Sequence, residues 1–128
     1  MGFIFYNANP DKEMVGDCTV RALSNVMGLS WDEVYIGLVT YGYILKDMPS
    51  GNRVWQEYLN DNGYNRYTIH DQCPNCYRVI DFIRDHPKGD YILGTGKHVI
   101  AVKDGNYYDT WDSGREIVTS YWKKEKEY

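Results

Sequence analysis

The stretch from His98 to Asp112, HVIAVKDGNYYDTWD, decides how the chain folds. Two alternating runs flank Asp104-Gly105, and an Asp-Gly pair in that setting is a strong signal for a two-residue hairpin loop. With those two residues as the loop, Lys103 faces Asn106, Ile100 faces Asp109 and His98 faces Trp111. His98, Ile100, Val102, Tyr107, Asp109 and Trp111 then share one face. Asp109 lies diagonal to His98 at a Cβ separation of about 7 Å or less, which an imidazole and a carboxylate can bridge. Asp112 falls on the other face, and a three-residue loop would exchange the two carboxylates.

Outward from this hairpin, strands are expected at 66–70, 91–93, 98–103, 106–112 and 116–122, and helices upstream of them. Residues 18–27 place Cys18, Ala22 and Val26 at helical spacing, with Gly28 positioned to end the helix. Ser30-Trp31-Asp32-Glu33 is a capping box that opens a second helix running to about Gly42. A third fits 52–63, and a fourth fits 76–86, because Pro87 disfavours helix at the residue before it. Helices first and an antiparallel sheet last predict an α+β fold. The absence of repeats or linkers predicts a single domain over 1–128.

Composition excludes several function classes. The chain carries 14 Lys+Arg against 18 Asp+Glu, a net charge of −4. Its only basic cluster, Lys123, Lys124 and Lys126, alternates with Glu125 and Glu127, so no electrostatic footprint for nucleic acid exists. Thirteen tyrosines suit the rims of a small core. The N-terminus lacks a basic n-region and a long apolar run, and Tyr6 stands where myristoylation needs Ser or Thr, so neither a leader nor a lipid anchor is expected. Three cysteines cannot form a complete disulfide framework. A cytoplasmic protein without membrane partners is the expectation.

A histidine oriented by a carboxylate is half of a nucleophilic site, and the other half is a Ser or Cys within reach. Cys18 is the candidate. With Asp17 as N-cap it sits in the first helical turn, where the helix dipole and an imidazolium both favour a thiolate. Its own amide would serve as half of an oxyanion hole.

Gly16-Asp17-Cys18 opening an amphipathic helix, followed by a histidine strand and an aspartate strand, resembles the papain-like cysteine peptidase superfamily. The wording GDCTVRALS, SWDEVY and HVIAVKDGNYYDTWDSG is similar to small bacterial and phage-type members with a GDC-x-x-RA nucleophile helix. The resemblance implies a papain-like fold in which Cys18 is the nucleophile, His98 the general base and then acid, and Asp109 the residue orienting the imidazole. Trp111 resembles the aromatic that shields the His–Asp hydrogen bond in such enzymes. The implied activity is thiol-dependent amide hydrolysis on a protein or peptide substrate without cofactor, and deamidation and transamidation use the same triad. The glutamine that such enzymes carry shortly before the cysteine is missing. Asn9 or Asn7 would substitute as side-chain donors.

Arg21 and Asn25 lie one turn apart, off the Cys18 stripe, and read as structural ties to a carboxylate rather than substrate contacts. Gly94-Thr95-Gly96 does not open a helix and so is no phosphate loop; its small residues would let a substrate backbone approach. His70-x-x-Cys73-Pro-Asn-Cys76 resembles half of a zinc site, but His86 is too far along the fourth helix to complete it, so no metal is assigned. The leading expectation is a loop with a helix start at Asn75 and reduced, inert thiols. The competing reading of the whole chain is an inactive papain-like interaction module, with or without zinc on that loop.

Overall fold

The computed structural model describes residues 1–70 and 76–125. Its elements in chain order are β1 (Gly2–Phe5), α1 (Cys18–Met27), α2 (Trp31–Leu45), α3 (Asn52–Asp61), β2 (Tyr64–Thr68), α4 (Val79–Asp85), β3 (Asp90–Gly94), β4 (Val99–Lys103), β5 (Asn106–Asp109) and β6 (Ser120–Lys124). The strands form one sheet in the order β1-β5-β4-β3-β6-β2. The fold is α+β, as expected from the sequence.

The β4–β5 hairpin has the expected register, with Lys103 paired to Asn106, Val102 to Tyr107 and Ala101 to Tyr108. Its two loop residues, Asp104 at φ 50° and Gly105 at φ 79°, both occupy the left-handed region that a tight primed turn demands. Regular pairing stops at Ala101–Tyr108, and β5 ends at Asp109 because the Thr110 amide turns back to donate to the Asp109 carboxylate at 2.8 Å.

The sheet has two apolar faces. On one, Ile92, Val99, Ala101 and Trp122 pack against Leu23 of α1, Val34 and Leu38 of α2, and Trp55 and Leu59 of α3. On the other, Leu93, Ile100, Val102 and Tyr107 pack against Val79, Phe82 and Ile83 of α4. The strict alternation of β4 therefore serves two cores, and both its faces are buried. His86 is absorbed into the second core edge, its ring stacked on Phe82 at 4.0 Å.

Helix ends follow local chemistry. α1 stops at Gly28 in the left-handed conformation, and the Ser30–Glu33 capping box is closed in both directions at 3.1 Å. α2 runs past Gly42 to Leu45, since nothing before Lys46, at φ 58°, breaks the helix. α4 begins at Val79 rather than at residue 76. The Tyr77 carbonyl accepts from the Val118 amide at 2.9 Å and Arg78 bridges Ile117, which keeps the chain extended up to that point. The same contacts occupy Ile117 and Val118, and β6 starts at Ser120. The expected helix start at Asn75 lies outside the described residues.

The sheet is mixed, not antiparallel. β1 joins its edge parallel to β5, pairing Gly2 with Asn106 and Phe5 with Asp109. Four apolar-rich residues bounded by polar ones carry too short an alternation to announce a strand, and only the exposed edge of β5 selects them.

Leu23 is fully buried and anchors α1 to the sheet. Leu23→Ala is expected to cost about 2–5 kcal/mol, read as a lower urea midpoint at unchanged slope.

Candidate active site

Cys18 is the first residue of α1 and His98 immediately precedes β4, so the α1–sheet packing brings them together. The His98 side chain, the Val99 backbone and the Thr19 side chain all favour the charged form of the Cys18 sulfur. His98 Nε2 donates to Asp109 Oδ2 at 2.5 Å. With Nε2 committed to Asp109, Nδ1 is the ring nitrogen left for Cys18. His98 stands between Cys18 and Asp109, and the Trp111 ring lies 5.0 Å from the imidazole at 33°. Trp111 is itself half exposed and covers one face of the ring. Asp112 takes no part: its carboxylate accepts from the Tyr107 hydroxyl and the Gly114 amide.

Burial pushes the Cys18 thiol up, but the hydrogen bond from His98, the Val99 amide and the attraction of the imidazolium outweigh it and leave the thiol below its ordinary range. Burial likewise opposes charge on His98, yet the bonds to Asp109 and Cys18 push its pKa up to about 9. Asp109 is held below the usual carboxylate range against its own desolvation, chiefly by His98 and Ser113. The shifts together favour a thiolate at Cys18 beside an imidazolium at His98 and a carboxylate at Asp109.

Behind it stands a second layer. Asp17 occupies the N-cap position of α1 but makes no side-chain cap. Its carboxylate instead accepts from Arg21 Nη1 and from Trp31 Nε1, the latter at 2.8 Å. Arg21 Nη2 reaches Asp109 Oδ1 at 2.9 Å, and Ser113 Oγ donates to Asp109 Oδ2 at 2.8 Å. Asp109, only 1% exposed, thus receives His98, Ser113, Arg21 and the Thr110 amide, which saturates the acceptor capacity of a carboxylate. The charges alternate along the row Asp17, Arg21, Asp109, His98, Cys18. Arg21 is the structural tie its position suggested, and the Asp17-x-x-x-Arg21 spacing announces half of it. Ser113, four residues past Asp109 in an irregular turn, carries no sequence signal.

Asn7 and Asn9 are not brought to Cys18. The Asn7 amide donates to the Glu13 carbonyl at 3.1 Å, and the Asn9 side chain accepts from the Asp11 amide at 2.9 Å. They build the turn before α1, as Asn beside Pro commonly does. Cys18 and His98 instead open onto a cavity of about 410 Å³ whose side-chain amides, among the described residues, are Asn52 and Gln56 of α3. Asn52 accepts from Trp55 Nε1 at 3.0 Å, while no described residue bonds Gln56. Gly94 and Gly96 lie along the same cavity; a Cβ at Gly94 would stand 3.1 Å from Ser120 Oγ, so small residues keep this wall low.

Cys18 is a free thiol, whereas Cys76 is disulfide-bonded. The expectation of reduced thiols on that loop is overturned for Cys76, whose sulfur is not available as a zinc thiolate; Cys73 lies outside the described residues. Among the described residues no group of three or more His, Cys, Asp or Glu is placed to hold a metal, and no helix is long and apolar enough to cross a membrane.

Comparison of the chain with protein-family models, with curated proteins and with solved structures returned no match.

Removing Arg21 leaves Asp17 and Asp109 buried without their shared cation. Arg21→Met is expected to cost about 3–5 kcal/mol in denaturant unfolding, with part of the loss recovered in the Arg21→Met/Asp109→Asn double variant. The raised His98 pKa gives a second expectation. Its stabilisation is complete below the unfolded value of about 6.5 and is lost as pH rises through about 9. The Tm difference between wild type and His98→Gln should therefore shrink between pH 7 and pH 10.

Proposed function

We propose that the chain is a papain-like thiol hydrolase that cleaves a peptide or isopeptide amide through Cys18, His98 and Asp109. The observation that carries this reading is that Cys18 and His98 share the wall of an open cavity while His98 Nε2 is bonded to the Asp109 carboxylate at 2.5 Å. An inert buried cysteine has no need of an imidazolium, and a sheet histidine that only packs has no need of a thiol.

The thiolate of Cys18 attacks the scissile carbonyl carbon, and the carbonyl π electrons move to oxygen. That oxyanion meets the Cys18 backbone amide at the start of α1, where the N-terminal end of the dipole favours negative charge. The side-chain amide of Gln56 is the second donor the cavity offers. The His98 imidazolium then delivers its proton to the departing amine, and a thioester remains on Cys18. Water attacks the thioester as the now neutral His98 accepts its proton, which releases the acid and restores the thiolate–imidazolium pair. Asp109 stays ionised throughout, clamped by its four donors, and holds Nδ1 toward the sulfur.

An electrophilic thiol probe such as iodoacetamide should label Cys18 in the folded protein at pH 6–7, where an ordinary thiol is mostly protonated, and Cys18→Ala should abolish the label as read by intact mass. Absence of labelling at Cys18 in the native protein would overturn the reading. Acyl transfer should lose its alkaline limb near pH 9 as His98 loses its proton, while alkylation continues above it. Asp109→Asn should move that limb to lower pH, since the carboxylate is what raises the imidazole.

A further inference from the structure

The cavity beside Cys18 has a charge pattern that the triad does not use. Among the described residues, its ionisable side chains besides His98 and the nucleophile are Arg66 and Lys97, and no described carboxylate lines it. This holds in a chain where acidic residues outnumber basic ones. Arg66 comes from the edge strand β2, directly opposite Trp122 of β6, whose ring packs edge-on against Trp55 of α3. That register sets Arg66 on the helix-bearing face of the sheet, beside the cavity. Lys97 follows Gly96, which bends the β3–β4 connection at φ 93°, and immediately precedes His98.

Neither cation is paired with a described carboxylate. Among the described residues the ion pairs made by arginines and lysines involve Arg21 and Arg84 alone. Arg66 and Lys97 therefore reach into a concave site with their donors open, and with the imidazolium of His98 they give it a positive potential that the cleft walls focus. Asn52 and Gln56 add neutral hydrogen-bonding groups on the facing side.

We propose that this cleft selects substrates bearing a carboxylate close to the scissile amide, with Arg66 and Lys97 as its specificity-determining residues. The proposal rests on Cys18 being the reactive thiol. A guanidinium can take a carboxylate through two parallel hydrogen bonds, and a lysine adds a point charge without directional demand. The carboxylate is supplied either by an acidic side chain or by the free C-terminus of a short peptide.

The test compares alkylation of Cys18 in the full chain by iodoacetate, which is anionic, and iodoacetamide, which is neutral. The imidazolium favours iodoacetate in every variant that retains it, so the informative quantity is the change in the rate ratio. Arg66→Gln/Lys97→Gln should lower the iodoacetate-to-iodoacetamide ratio by about threefold or more, and added salt should lower the wild-type ratio in the same direction. The charge-conserving Arg66→Lys/Lys97→Arg should keep it. Protection of Cys18 by capped tripeptides then separates the two sources: an internal glutamate with an amidated end against an internal glutamine with a free end, with an all-neutral peptide as reference. An unchanged ratio in the glutamine double variant, or equal protection by neutral and carboxylate peptides, overturns the proposal and leaves the reactive thiol standing. Failure of either reagent to modify Cys18 in the wild type overturns the hydrolase reading itself.

Discussion

The site is organised around one buried cation. Arg21 holds Asp17 on one side and Asp109 on the other, and so joins the start of α1 to the end of β5. Three ionised groups in a nearly dry environment carry a desolvation cost that only mutual pairing offsets. The pairing has a geometric result: it withdraws Asp17 from its capping role, which leaves the amides of the first helical turn free of a side-chain acceptor. It also orients Asp109 so that the oxygen facing away from Arg21 receives His98. The electrostatics of the thiol thus begin with an arginine one turn along the helix that bears it.

Layer packing makes this arrangement possible. β4 is buried on both faces, so its position is determined by two cores at once, the α1–α3 side and the α4 side. A strand held in this way delivers His98 at its N-terminal end with little freedom, and the tight Asp104-Gly105 turn returns β5 to put Asp109 beside it. Preorganisation of the imidazole is therefore a property of the core and the turn rather than of the site residues alone.

Much of this was legible in the amino-acid order. The hairpin register followed from Asp104-Gly105 because a two-residue primed turn leaves one pairing, and α1 and the start of α2 followed from apolar spacing, Gly28 and the Ser30–Glu33 box. What escaped was chemistry that depends on distant partners. β1 is a strand only because β5 offers it an open edge. Asp17 reads as a cap until Arg21 and Trp31 claim its carboxylate. Asn7 and Asn9 resemble donors for the site by their position before Cys18, but neither lines the cavity, whose described side-chain amides come from α3, far along the chain. The start of α4 was misplaced because Tyr77 and Arg78 are drawn into extended pairing with Ile117 and Val118, a contact no local propensity encodes.

The order of the elements along the chain carries one more implication. Cys18 lies near the beginning, while the strands that position His98 and Asp109 come near the end, and β1 hydrogen-bonds to the strand that carries Asp109. Closing such distant segments costs chain entropy that no local element repays in advance. Without those strands, neither His98 nor Asp109 is positioned beside Cys18. On the proposed function, the reactivity of Cys18 would therefore depend on the last strands of the sheet being in place.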